Sequence, residues 1–220
     1  MSKTKFSGKF IATAAGFTEK SGSARQLIAN AIGRTGALNV AYLTFASDEM
    51  PWGWRPPVHE SLGYMDQRLG WKVKMLTSEM TESAVMQTIW NCNVIHAEGG
   101  DSKRLMYWFD KFGIIKQELL SWIESGKHYI GSSSGAMALG QKIGVSRLDP
   151  KLACYISRDI RYRHNSKGIG ILPGVTAVFP HFNPADRRQV WASKQQILVG
   201  GNPLLLTDTG APYVWTPDSN

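Results

Sequence analysis

The chain has 220 residues, of which 43% are hydrophobic and 19% are charged. This composition supports a sizeable folded core and excludes an intrinsically disordered chain. The formal net charge of +8 favours anionic partners. The basic residues are scattered rather than clustered in a long run, which makes nucleic acid an unfavoured partner.

Short apolar runs alternate with helical patterns through the first 140 residues. The first run, residues 9–15, predicts a strand rather than a signal peptide. A helix should follow it, capped by Ser21 or Ser23 and ended at Gly33. Further strands are predicted at 39–47, 72–78, 93–100 and 128–133, and further helices at 58–70, 81–90, 101–113 and 114–126. This alternation is typical of parallel βαβ units in a doubly wound α/β fold, with helices on both faces of the sheet.

The pattern changes after about residue 150, where strands are predicted with little helix between them. These strands lie at 153–164, 168–173 and 176–182, and a helix is expected at 184–198. Residues 203–210 and 211–217 then predict a closing pair of strands. We find no repeat, linker or stretch long enough to span a membrane, so we expect one domain over residues 1–220.

The two cysteines, Cys92 and Cys154, are too few for a disulfide framework and lack the spacing of zinc ligands. We therefore expect both to be reduced core residues of a cytoplasmic protein.

The segment Gly-Ser-Ser-Ser-Gly at 131–135 fits the G-x-S-x-G pattern in one frame only, with Ser133 at its centre. A predicted strand precedes it and a predicted helix follows, which is the context of a nucleophile elbow. The start of a helix also favours developing negative charge. An ordinary Ser/Gly turn remains the alternative interpretation.

A catalytic serine needs a base and donors for an oxyanion. His181 is the candidate base, because it follows an apolar strand and strand ends are where α/β enzymes build their sites. A structural histidine at a strand end is the alternative. The candidate oxyanion donors are the backbone N–H of Ser134 and an N–H from Gly99-Gly100.

Three motifs in this order, EGGDSKRL, GSSSGAM and GIGILPGVTAVFPHF, resemble the dipeptidase E (aspartyl dipeptidase) and cyanophycinase family of serine peptidases. The resemblance extends from about residue 38 to 215. It implies a class I glutamine-amidotransferase-like fold, with Ser133 as nucleophile, His181 as base, and Gly100 and Ser134 as oxyanion donors. It implies no metal and no organic cofactor.

The chain departs from the family pattern at two positions. Ser134 stands where the family usually has alanine, and Thr209 stands where a glutamate would follow Asp208. The acid of the triad is therefore open between Asp149 and Asp208, and we prefer Asp149 slightly.

The resemblance also implies a short peptide as substrate, with aspartate at its N-terminus. A basic residue on the helix after the histidine would receive that carboxylate, and Arg187 and Arg188 are the candidates. Asp101 of the first motif completes the predicted substrate-binding residues. An esterase or amidase on the same fold, a non-catalytic binding protein, and a homo-oligomer remain open.

Overall fold

The structure of the protein is a computed structural model, which describes residues 8–33, 37–48, 56–143 and 167–217. The strands are β1 (Phe10–Thr13), β2 (Asn39–Leu43), β3 (Lys72–Leu76), β4 (Val94–Ala97), β5 (His128–Ser132), β6 (Ala177–Phe179), β7 (Pro203–Leu205) and β8 (Tyr213–Trp215). The helices are α1 (Ala24–Ile32), α2 (Pro56–Gly63), α3 (Glu82–Asn91), α4 (Ser102–Lys111), α5 (Lys116–Glu124), α6 (Ser134–Met137) and α7 (Arg187–Leu198). A short 3₁₀ helix spans Glu19–Ser21, and a π-helix spans Tyr64–Arg68 directly after α2.

The main sheet has six strands in the order β3-β2-β4-β5-β1-β8. Its first five strands are parallel, and β8 pairs antiparallel with β1 at one edge. β6 and β7 form a separate parallel pair. The predicted α/β fold with a mostly parallel sheet is therefore confirmed, and β5, the strand before Ser133, lies inside the sheet between β4 and β1.

Core residues lie on both faces of the main sheet. In β1, Phe10 and Ala12 belong to one buried cluster, while Ile11 belongs to the other. Successive side chains of a strand point to opposite faces, so a strand covered on both faces is apolar throughout. β3 differs because Lys72 and Lys74 are exposed, which is common for an edge strand and discourages pairing with another chain.

Side-chain capping differs between the starts of α3 and α1. The Thr81 hydroxyl accepts from the Ala84 N–H at 3.3 Å and caps α3. The predicted serine cap of α1 is wrong. Ser23 occupies the N-cap in αR backbone geometry and makes no capping bond, while the Ser21 hydroxyl donates to the Gly16 carbonyl.

The apolar segment 168–173 is not a strand, contrary to our prediction. The N–H of Ile169 donates to the Ala138 carbonyl and that of Ile171 to the Leu139 carbonyl, so this backbone bonds to the chain at the end of α6. Gly170 has a φ of +67°, which interrupts an extended chain. The predicted strand at 153–164 lies outside the described residues.

The two C-terminal strands do not pair with each other. β7 pairs parallel with β6, and β8 pairs antiparallel with β1. The prediction of a closing pair was wrong because each strand bonds to an earlier strand of the chain.

Cys92 is buried and free, as expected, while Cys154 lies outside the described residues. Within the described ranges, no helix is long and apolar enough to cross a membrane.

Candidate active site

Ser133 lies in a sharp turn between β5 and α6. Its φ is +51° and its ψ is −107°, a backbone conformation that non-glycine residues rarely adopt. Such strain persists only where the surrounding structure holds the residue in place, and it is concentrated at functional sites. The N–H of Ser133 donates to the Thr13 carbonyl at 3.0 Å, which ties the turn to β1.

The two glycines of the G-x-S-x-G segment are required by close backbone contacts. A Cβ at Gly131 would lie 2.4 Å from the Gly135 carbonyl oxygen, and a Cβ at Gly135 would lie 2.1 Å from the Ala97 carbonyl oxygen. The turn can therefore fold back on β5 and against β4 only because neither position carries a side chain.

His181 and Asp208 are brought together by the parallel pairing of β6 and β7. Phe179 pairs with Leu205 at the ends of these strands, so both side chains follow at the same edge. The N–H of Phe182 donates to the Leu206 carbonyl at 2.8 Å and fastens the two segments beyond the strands. His181 itself has a φ of +55°.

Ser133, His181 and Asp208 form a continuous hydrogen-bonded series. Ser133 Oγ lies 3.0 Å from His181 Nε2, and His181 Nδ1 bonds to Asp208 Oδ1. With the proton of the neutral ring on Nδ1 and donated to Asp208, Nε2 is free to accept from the Ser133 hydroxyl. This is the arrangement that a serine needs in order to lose its proton to a base.

The groups around Asp208 stabilise its negative charge. The hydrogen bond from His181 lowers the pKa of Asp208, burial opposes this shift, and electrostatic interactions with His181 and Lys20 add to it. Asp208 is therefore an anion at neutral pH, which suits a group that must stabilise a protonated imidazole.

The two backbone N–H groups predicted as oxyanion donors have no backbone acceptor among the described residues. Ser134 is the first residue of α6, so its N–H has no carbonyl within the helix to bond. Gly100 has a φ of +138°, and a Cβ there would lie 2.4 Å from the Ala46 carbonyl oxygen. Gly99 packs against the serine, since its Cβ would lie 3.2 Å from Ser133 Cβ.

Asp101 caps a helix and makes no hydrogen bond to the series. Asp101 is buried, and its Oδ1 accepts from the N–H groups of Lys103 and Arg104 as the N-cap of α4. Burial raises the pKa of Asp101 and these bonds oppose the shift. Asp149 lies outside the described residues.

Arg187 and Arg188 open α7 with exposed side chains. Arg188 Nε lies 3.6 Å from Asp186 Oδ1, so this arginine is partly neutralised by the residue that caps its own helix. The substrate-binding role of both arginines stays a prediction.

A buried polar group beside the turn was not singled out from the sequence. On one face of the sheet, His96 Nε2 lies 2.7 Å from Ser132 Oγ, and the Tyr42 hydroxyl donates to Glu98. Burial lowers the pKa of His96 to about 3, so its ring is neutral. The available signal was polar residues at alternate positions, 96 and 98, in the otherwise apolar segment 94–98. Across the described ranges, no cluster of side chains is suited to hold a metal ion.

Comparison with known proteins gives a consistent result. The chain superposes on a protein from Listeria monocytogenes EGD-e assigned to peptidase E, with a TM-score of 0.71, 16% identity and coverage of 97% of this chain and 96% of that one. It also superposes on a peptidase from an acI-B1 Actinobacterium, with a TM-score of 0.56, 21% identity and coverage of 87% and 75%. At these identities the similarity shows the fold. A search of curated protein sequences gives no match. The sequence model of peptidase family S51 matches residues 10–209, and the chain therefore belongs to this family of serine peptidases.

Proposed function

We propose that this peptidase hydrolyses short peptides through an acyl-enzyme on Ser133, with His181 as general base and Asp208 as the acid of the triad. The proposal rests on the hydrogen-bonded series Ser133–His181–Asp208. In this series the imidazole contacts the serine hydroxyl through one ring nitrogen and the carboxylate through the other. Family membership supplies the reaction class, and the geometry supports the assignment of roles.

The reaction would proceed in two halves. Ser133 Oγ attacks the peptide carbonyl while His181 Nε2 takes the hydroxyl proton, and Asp208 stabilises the imidazolium that forms. The N–H groups of Gly100 and Ser134 would donate to the oxyanion of the tetrahedral intermediate. His181 then gives the proton to the leaving amine. A water molecule, deprotonated by His181, attacks the ester carbonyl and releases Ser133.

Asp208 replaces Asp149 as the preferred acid. A triad acid must bond to the ring nitrogen that does not face the serine, and Asp208 makes that contact. Our slight preference for Asp149 rested on the family resemblance, because Thr209 stands where a glutamate would follow Asp208.

For the substrate, we propose peptides with an N-terminal aspartate. Three cationic side chains support this preference: Lys20, whose charge acts on Asp208, and Arg187 and Arg188 on the helix that follows His181. A net charge of +8 would also draw an anionic peptide toward the protein.

The proposed function is tested on Ser133→Ala. A fluorophosphonate probe should label the wild type and not this variant, and hydrolysis of a dipeptide panel should fall by about 10³-fold or more. Ser83→Ala is the control, because Ser83 is an exposed serine on α3. Labelling or turnover that survives in Ser133→Ala would contradict the role of this serine. An unlabelled and inactive wild type would leave the non-catalytic alternative.

A further inference from the structure

A carboxylate is buried immediately before the Gly99-Gly100 turn. Glu98 follows the last residue of β4 and is only 4% exposed. Its N–H donates to the Leu43 carbonyl at 3.2 Å, and its carbonyl accepts from the Ser134 hydroxyl at 3.5 Å. Glu98 thus connects β2, the glycine turn and the turn that carries Ser133.

Both carboxylate oxygens of Glu98 have partners. Oε1 accepts from the N–H of Gly99 at 2.8 Å, and Oε2 accepts from the hydroxyl of Tyr42. Tyr42 is fully buried on β2, so its hydroxyl is held in place by the core. Burial raises the pKa of Glu98, while the bonds from Gly99 and Tyr42 favour the ionised form.

These contacts distinguish the two N–H groups of the glycine turn. The Gly99 N–H is engaged by Glu98, although Gly99 is the residue that packs against Ser133. The Gly100 N–H has no acceptor among the described residues. Only the φ and ψ of Gly99 separate the peptide planes that carry these two N–H groups, so fixing the Gly99 N–H removes one source of variation in the direction of the Gly100 N–H.

We propose that Glu98, held by Tyr42, is a positioning residue that engages the Gly99 N–H and thereby leaves the Gly100 N–H as the oxyanion donor of the turn. This inference rests on the proposed function of Ser133.

The acceptor oxygen, rather than the negative charge, is the useful property of Glu98. A negative charge near a developing oxyanion opposes that oxyanion. Leucine at this position would remove the cost of a buried carboxylate but would leave the partly buried Gly99 N–H without its acceptor. A glutamine would keep an oxygen for Gly99 and remove the charge. The two substitutions therefore separate orientation from charge.

The kinetic test compares Glu98→Leu, Glu98→Gln and Tyr42→Phe with the wild type, and uses Glu124→Gln on the exposed end of α5 as the control. Glu98→Leu should lower kcat by about 10²-fold with KM nearly unchanged, which is the effect of losing one oxyanion donor. Glu98→Gln should stay within about 3-fold of the wild type, and Tyr42→Phe should lose about 10-fold or less. The rate at which the fluorophosphonate labels Ser133 should follow the same order.

Two kinetic outcomes would overturn the inference. In one, folded Glu98→Leu turns over at the wild-type rate. In the other, Glu98→Gln is as slow as Glu98→Leu, since the charge would then matter rather than the acceptor oxygen. Thermal melts of each variant identify any that fail to fold.

A second measurement uses the wild type and does not depend on turnover. Amide hydrogen exchange by NMR should show slow exchange at Gly99 and faster exchange at Gly100 in the free protein. After phosphonylation of Ser133, Gly100 should become protected. Fast exchange at Gly99, or protection that appears at Gly99 rather than Gly100, would contradict the inference. If the probe never labels Ser133, the proposed function fails, and the free-protein comparison still decides whether Glu98 holds the Gly99 N–H.

Discussion

His181 presents its two ring nitrogens to different partners, Ser133 on one side and Asp208 on the other. The proton on Nδ1 is fixed by the carboxylate, so Nε2 is the nitrogen that can act as base. An asparagine at 208 could accept from the ring or donate to it, and in the second case the ring would hold the wrong tautomer.

Asp208→Asn should therefore lower kcat by about 10²-fold to 10⁴-fold with little change in melting temperature. Asp149→Asn is the competing variant, and it should stay near the wild-type rate. Steady-state kinetics with thermal melts on both proteins decide between the two acids. A large loss of kcat in Asp149→Asn, together with a mild loss in Asp208→Asn, would identify Asp149 as the acid of the triad instead.

His96 gives the protein a specific response to acid. Its pKa is about 3 in the fold and about 6.5 in an unfolded chain. Between these values the unfolded state binds the additional proton, so stability falls as the pH falls from about 6.5 toward 3. Above this window His96 is neutral in both states and adds no pH dependence to the free energy of unfolding.

We expect His96 alone to contribute a slope of about 1.4 kcal/mol per pH unit within that window. Urea unfolding of the wild type and of His96→Asn at a series of pH values measures it. The variant should be less sensitive to acid even if it is less stable at neutral pH. Parallel profiles for the two proteins would show that His96 does not titrate in this way.

The turn between β5 and α6 is defined by backbone packing rather than by its serines. Gly135 lies against Ala97 of β4, and Gly131 lies against Gly135. The position of Ser133 therefore depends on two residues that have no side chain.

Gly135→Ala should destabilise the protein by about 1–3 kcal/mol and should also reduce labelling of Ser133, because the added methyl group must push the turn away from β4. Gly63→Ala is the matched control. Gly63 has αR backbone angles and open space around its Cβ position, so alanine there should be neutral or stabilising by about 0.5–1 kcal/mol. Denaturant unfolding of both variants measures the difference in their stability. Equal stabilities would contradict the close packing of Gly135 against β4.

The same elements show how far the sequence alone could be interpreted. Apolar runs with intervening helical patterns predicted β1 to β5, since each buried strand carries its own signal. The segment 168–173 has the same apolar character, yet its N–H groups bond to carbonyls around the end of α6. No local pattern distinguishes these two outcomes.

The choice between Asp149 and Asp208 as the proposed acid stayed open at the level of sequence for a related reason. Asp208 meets His181 because Phe179 pairs with Leu205, a long-range register that short strands do not encode locally. The G-x-S-x-G segment, by contrast, is local, so its strand, turn and helix could be predicted around Ser133. Glu98 and Tyr42 were missed because their contact joins two strands that are distant in sequence.

At the scale of the whole molecule, the net charge of +8 would favour the approach of anionic peptides independently of any single contact. Long-range attraction of this kind is screened by salt, with a Debye length of about 10 Å at 0.1 M. A dipeptide with an N-terminal aspartate carries one more negative charge than its alanine counterpart.

We expect kcat/KM for Asp-Leu to exceed that for Ala-Leu, and to fall more steeply as sodium chloride rises from about 20 mM to about 500 mM. The double variant Arg187→Ala, Arg188→Ala should reduce the preference while leaving Ala-Leu hydrolysis nearly unchanged. Equal cleavage of the two dipeptides by the wild type would exclude the acidic substrate and leave the serine mechanism standing.

The proposed nucleophile and its partners belong to different sheets. Ser133 follows β5 of the main sheet, whereas His181 and Asp208 both follow strands of the β6–β7 pair. The segment 177–208 thus holds the proposed base and the proposed acid together with the helix that carries Arg187 and Arg188. A chimera that exchanged this segment with another member of the family would transfer the proposed base, the proposed acid and the helix after the histidine together. A crossover placed between His181 and Asp208 would instead combine a histidine from one protein with an aspartate from another, and the contact between them would no longer be a native one.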